Sequence, residues 1–129
     1  MIVIDASAAI DLLVHGPGAA AISARVKKAR ALAAPHLLDA EVGQVLRRFE
    51  RSGAITLAEA NAAAADLNAL PITRYAHVPL FARAFDLRHD VTFYDALYLV
   101  LAEAIGAPLL TRDAALSQVP GHGATVELI

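Results

Sequence analysis

Five short apolar runs, at 1–4, 32–34, 72–75, 108–111 and 125–128, recur between longer stretches whose apolar residues keep a helical period. Strands separated by helices cannot close as hairpins, so they pair in parallel through right-handed crossovers and need helices on both faces of the sheet. The first run, Met1-Ile2-Val3-Ile4, is apolar throughout, as a strand buried on both faces requires. The pattern predicts an α/β fold, a three-layer α/β/α sandwich around a parallel sheet of about five strands. With 129 residues there is room for one such domain, over 1–129, and none for a second core.

Helices are expected over 6–14, 19–30 and 37–51, from Thr56 to about 70, from Pro79 to about 89, and from Thr92 to 105, with a short one from Asp113. In the third of these, Leu38, Val42, Val45, Leu46 and Phe49 fall on one face, and Gly53 stands where a C-cap belongs. Thr56 with Glu59 reads as a capping box. Gly16-Pro17-Gly18 reads as a turn, because it lacks both the Lys-Ser/Thr of a P-loop and the third glycine of a dinucleotide fingerprint.

Composition removes several function classes. The net charge of −2 and pI near 6.2 exclude a broad basic surface, so any contact with nucleic acid must be local. Hydrophobic residues at 57% against charged ones at 19% exclude intrinsic disorder. The absence of cysteine removes disulfides, Cys-type zinc sites and thiol nucleophiles together. The longest apolar run, 96–102, is far below the ~20 residues of a membrane span, and no basic leader precedes Asp5. A cytoplasmic protein without membrane contact is expected. The histidines show no i,i+4 pairing and are not candidate ligands.

Ligands of open α/β sheets sit beyond the carboxyl ends of the strands. Four acids map to that edge: Asp5 and Asp113 just after the first and fourth apolar runs, and Glu41 and Asp95 in early helical turns. Taken one at a time, each reads more readily as a helix cap or dipole partner. Taken together they would repel by about 3 kcal/mol per pair at 5 Å and an effective dielectric of 20, which a hard divalent cation relieves. Mg²⁺, or Mn²⁺ in its place, suits such oxygen donors and would activate a water against a phosphodiester. Ser7 and Thr111 stand beside two of the acids as supporting hydroxyls.

The segments MIVIDASAAIDLL, APHLLDAEVGQVLRR and VTFYDALYLVLAEAIGAPLLTRDAAL resemble the PIN-domain ribonucleases, specifically VapC-like toxins of VapBC toxin–antitoxin pairs. The resemblance spans nearly the whole chain. It implies a PIN-like fold, Mg²⁺- or Mn²⁺-dependent endoribonuclease activity, a homodimer and a cognate VapB-like antitoxin. It places the catalytic and metal-holding acids at Asp5, Glu41, Asp95 and Asp113, with the supporting hydroxyls at Ser7 and Thr111. The chain departs from the family in His89-Asp90-Val91, where a small turn is usual, and this leaves Asp90 as a spare acid.

Arg112, between Thr111 and Asp113, is a candidate RNA contact by position, and Arg47 and Arg48 are weaker ones on a helix face. Asp11, Asp39, Asp66 and Asp86 read as surface or helix-end charges. Two other readings stay open: an aspartyl-phosphate phosphatase with Asp5 as nucleophile, which lacks a second aspartate in Ala6-Ser7, and a catalytically inactive dimeric binding module.

Overall fold

The computed structural model describes residues 1–129. The strands are β1 (Ile2–Ile4), β2 (Leu32–Pro35), β3 (Ile72–Tyr75), β4 (Leu109–Thr111) and β5 (Val126–Leu128). The helices are α1 (Ala6–Leu13), α2 (Ala19–Ala29), α3 (Leu37–Ser52), α4 (Leu57–Ala69), α5 (Phe81–Asp86) and α6 (Phe93–Ile105). All strand pairs are parallel, in the order β3-β2-β1-β4-β5. The chain lays down β1, β2 and β3 in one direction and then returns to place β4 on the other side of β1. The topological switch point, where α/β sheets hold their ligands, therefore lies between the carboxyl ends of β1 and β4.

Burial follows position in the sheet. Every residue of β1, β2 and β4 is buried, as central strands covered on both faces must be, whereas β3 buries only Ile72 and β5 buries none. Helix α6 is buried continuously from Ala96 to Ala102. Such a helix, apolar all round, belongs inside a layer and not on its surface. Helix α3 is two-faced, with Leu38, Val42 and Leu46 inward and Gln44, Arg47 and Arg48 exposed. It ends at Gly53, whose φ of 79° is the left-handed conformation that glycine adopts without a Cβ clash. Helix α4 opens on the expected capping box, Glu59 N–H to the Thr56 hydroxyl and Thr56 N–H to the Glu59 carboxylate.

One helix differs from expectation. The segment expected as a helix from Pro79 to 89 begins as a 3₁₀ turn, Val78–Leu80, and α5 ends at Asp86. Tight bonds from Leu87 N–H to the Ala84 carbonyl, Arg88 N–H to Phe85 and Asp90 N–H to Leu87 stop it. They turn Leu87 into the core, where it is 3% exposed. No helix is long and apolar enough to cross a membrane.

Candidate active site

At the switch point, Asp5 ends β1 and caps α1, and it is 5% exposed. Its Oδ1 accepts from the Ala8 N–H at 2.9 Å and the Ser7 hydroxyl at 2.7 Å, and its Oδ2 accepts from the Thr111 hydroxyl. The two hydroxyls in turn accept backbone donors of the β4 exit, Ser7 from Arg112 N–H and Thr111 from Asp113 N–H, both at 2.9 Å. Both hydroxyl protons are thus spent on Asp5, and Ser7 and Thr111 meet at 3.3 Å with no proton between them. This lattice ties the ends of β1 and β4 together and fixes the carboxylate plane of Asp5. It leaves one lone pair of Oδ2 free.

Glu41 sits in the second turn of α3, where its Oε1 accepts the Tyr98 hydroxyl of α6 at 2.6 Å. Tyr98 is 1% exposed, so its only polar atom is used to aim Glu41. Asp95 lies in the first turn of α6, where Thr92 caps its backbone N–H. The return bond of a capping box, from the Thr92 N–H to the Asp95 carboxylate, does not form, so the Thr92 hydroxyl is the one protein group that bonds that carboxylate. Asp113 caps the 3₁₀ turn Ala114–Gln118 through Oδ1, and its other oxygen is free. For Asp5 and Asp113 the cap reading and the site reading therefore hold together, because a cap does not use the whole carboxylate.

Three of these acids, Asp5, Glu41 and Asp95, combine burial with the lack of an ion pair, unlike the exposed acids Glu59, Asp66, Asp86 and Asp90. Asp39, Glu103 and Glu127 each face an arginine, Arg74, Arg83 and Arg25, whose hydrogen bonds hold their carboxyls below the usual range. None of the four site acids has an ion pair. Burial pushes Asp5, Glu41 and Asp95 upward. Their donors, Thr111, Tyr98 and Thr92, oppose this in part. The neighbouring charges add to it: Asp113 acts on Asp5 and Asp95, Asp5 on Glu41 and Asp95, and Asp95 on Glu41. Burial and hydrogen bonding to Glu41 push Tyr98 up as well, so it remains a proton donor.

These shifts set a sign for stability against pH. A carboxyl whose pKa is raised by folding binds its proton more tightly in the native state, so stability falls as pH rises from the unfolded value, near 4, through the raised one. The arginine-paired acids contribute in the opposite sense, losing stability as pH drops below 4. The metal-free protein is expected to be most stable in mild acid and to weaken as Asp5, Glu41 and Asp95 ionise. Denaturant midpoints measured from about pH 4 to 8 check this, and Asp5→Asn should flatten the decline.

No three His, Asp or Glu side chains form a ready ligand shell, so the acids lack the tight packing expected from sequence, although their charges act on one another. The donor set still fits Mg²⁺ or Mn²⁺ in kind: oxygen only, unpaired with any cation, and mutually repelling. Mg²⁺ usually takes one or two carboxylates and keeps several waters, so a protein cage is not required of it. The largest cavity, about 390 Å³, lies between α1, α2 and α4 and contains none of the four.

The other candidates are distributed as follows. Arg112 is held by Asp11 at 3.2 Å and by the Ile129 carbonyl, so it is committed to the fold. Arg48 borders a cleft that includes Glu41, and Arg47 is exposed but outside that cleft. Asp90 is exposed and bonds only through its backbone. Asp11 is not the surface charge expected. Its side chain is 14% exposed and binds both Arg112 and the Gly18 N–H. A Cβ at Gly16 or Gly18 would strike that carboxylate, which explains the two glycines of the turn. The residue missed outright is Tyr98, three positions after Asp95 and on the same helical face.

The PIN domain family matches residues 2–122. Ribonuclease VapC1 of Mycobacterium tuberculosis is 48% identical, across 98% of this chain and 96% of its own. The crystal structure of PAE2754 from Pyrobaculum aerophilum superposes with a TM-score of 0.74 at 26% identity, covering 97% of this chain and 81% of that one. VapBC2 from Rickettsia felis, solved bound to a DNA fragment from its promoter, shares the fold with a TM-score of 0.70 at 15% identity, covering 99% and 98%. The chain belongs to the PIN-domain family and, within it, to the VapC-like proteins.

Proposed function

We propose that this protein is a Mg²⁺-dependent endoribonuclease, with Mn²⁺ an acceptable substitute, in which Asp5, Glu41, Asp95 and Asp113 hold the cation and carry the chemistry. The observation that carries this reading is the contrast in charge compensation. The fold pairs three other acids with arginines that depress their carboxyls, yet leaves these four without an ion pair near the topological switch point, where burial and the neighbouring acids raise Asp5, Glu41 and Asp95. The VapC-like relatives, several of them called ribonucleases, support RNA as the substrate.

When bound, a divalent ion would supply Lewis-acid stabilisation of charge on the scissile phosphate and favour hydroxide over water. The chain's own residues prepare for it. Ser7, Thr111 and the Ala8 N–H lock Asp5 with a single lone pair outward. Tyr98 fixes Glu41 Oε1, so Oε2 is the oxygen free to face the cation or to take a proton. Asp95 and Asp113 stand at helical starts, and Asp113 keeps one oxygen without a protein partner. By the same reasoning from its relatives, the protein acts in the cytoplasm as the toxin of a VapBC-type pair, is restrained by a VapB-like antitoxin, and works as a homodimer. The exposed apolar side chains Val78, Phe81 and Phe85, grouped at α5, favour self-association.

Incubating the purified protein with RNA in Mg²⁺, in EDTA, and in EDTA followed by excess Mn²⁺, then sequencing the new ends, tests the proposal. Cleavage at defined sites that stops in EDTA and returns with Mn²⁺ is expected. The melting midpoint should also rise with Mn²⁺ concentration. Equal cleavage in EDTA would overturn the metal dependence, and none under any condition would favour the binding-module reading, in which the acids only cap helices.

A further inference from the structure

A cleft of about 320 Å³ opens directly beside Glu41. Its α3 wall is one stripe, Leu37, Glu41, Gln44, Val45 and Arg48, at the i, i+4, i+7, i+8 and i+11 spacing of a single helical face, and Tyr94 of α6 closes the other side. We propose that this cleft seats one unpaired nucleobase of the RNA, stacked on Tyr94 next to the scissile phosphate. The inference rests on the endoribonuclease reading and deepens it by naming what selects the substrate.

The chemistry of the rim favours this occupant. Tyr94 is 61% exposed and its hydroxyl has no partner in the chain, so its ring face is open to a stacking base. The Gln44 side chain is exposed on α3, so its amide can read a base edge. Arg25, Arg74, Arg83 and Arg112 all hold carboxylates, but Arg48 holds none and lies 6.0 Å over the Phe49 ring, so its N–H donors are open to a phosphate. The floor from Leu37 and Val45 is apolar, and the volume falls at the lower end of the roughly 300–1,000 Å³ of small-molecule sites. Sequence-specific RNA recognition works on splayed, unstacked bases held by aromatic faces and edge hydrogen bonds. A second copy of the chain fits less well, because a stable dimer buries about 800 Å² per partner, and the exposed apolar side chains that would feed it lie on α5.

The test measures RNA affinity separately from cleavage. Fluorescence anisotropy of a short labelled single-stranded RNA, in Ca²⁺, is compared for the wild type, Tyr94→Ala, Tyr94→Phe and Arg48→Gln, and repeated with an RNA carrying abasic sites. Tyr94→Ala should weaken binding about 5- to 100-fold and Tyr94→Phe less than about threefold, since stacking needs the ring and not the hydroxyl. The abasic RNA should bind the wild type and Tyr94→Ala equally. Arg48→Gln should lower the slope of log affinity against log salt by about one phosphate contact. In Mg²⁺, Gln44→Ala should shift the cleavage-site profile. RNA affinity unchanged by Tyr94→Ala, with cleavage by the wild type intact, overturns this inference alone. A smaller oligomer for Tyr94→Ala at unchanged affinity overturns it in favour of a second copy. No RNA binding and no cleavage by the wild type overturns both readings.

Discussion

Asp95→Asn is expected to remove RNA cleavage almost entirely, by at least about 10²- to 10³-fold in rate, while leaving the metal-free protein as stable as the wild type or more so. The substitution keeps the size and shape of the side chain, and the Thr92 cap is untouched because it uses the backbone N–H of residue 95. What is lost is one negative charge at a half-buried position where burial, Asp113 and Asp5 already disfavour it. Removing a charge that the fold resists relieves the folded state, and removing a cation ligand weakens stabilisation of the phosphate in the transition state. Initial rates at saturating Mg²⁺ and a melt in EDTA check both halves. Asp90→Asn, at an exposed acid outside the site, should keep the wild-type rate. Asp95→Asn cleaving as fast as the wild type would remove Asp95 from the machinery.

Thr111→Val has the largest expected effect on stability, a loss of about 2–3 kcal/mol at neutral pH. Valine preserves the β-branched shape at a fully buried strand end, so packing changes little. The hydroxyl, however, donates to the buried Asp5 carboxylate and accepts the Asp113 N–H. Without it, Asp5 keeps its charge with one donor fewer, and its pKa rises further. The deficit should shrink as pH falls and Asp5 takes up a proton, because a neutral carboxyl needs fewer donors. Asp5→Asn in the same chain should recover part of the loss, and a double-mutant cycle measures that coupling. A pH-independent loss would mean that packing, and not the support of Asp5, is the role of Thr111.

Much of the fold was legible because local signals agreed with the global arrangement. The β-branched run 2–4, the Thr56–Glu59 box, Gly53 and Gly106 mark boundaries that the structure keeps within a residue or two. The short α5 was not legible, since its end depends on Leu87 turning into a core formed by distant elements. The four acids were legible by position alone, as strand-end and helix-start residues in a parallel sheet. Their support was less so. Ser7 and Thr111 could be named as neighbours of acids, but Tyr98 lies in an apolar helix and meets Glu41 only across 57 residues of sequence. Asp11 was hidden in the same way, because its partner Arg112 arrives from the far end of the chain. The spacing of the acids was also out of reach of sequence. Asp5 spends three of its four lone pairs on Ala8, Ser7 and Thr111, which holds it in the β1–β4 junction through partners that only the folded chain brings together.

Mn²⁺ titration followed by the electron paramagnetic resonance signal of the free ion, on the wild type and on Asp5→Asn, Glu41→Gln, Asp95→Asn and Asp113→Asn, tests whether these four carboxylates together take up a divalent ion. Saturable uptake by the wild type, weakened in every one of the four variants and unaffected by Asp90→Asn, is the expected result. A wild type that leaves the free Mn²⁺ signal undiminished at millimolar protein and ion, both alone and with single-stranded RNA present, would contradict it.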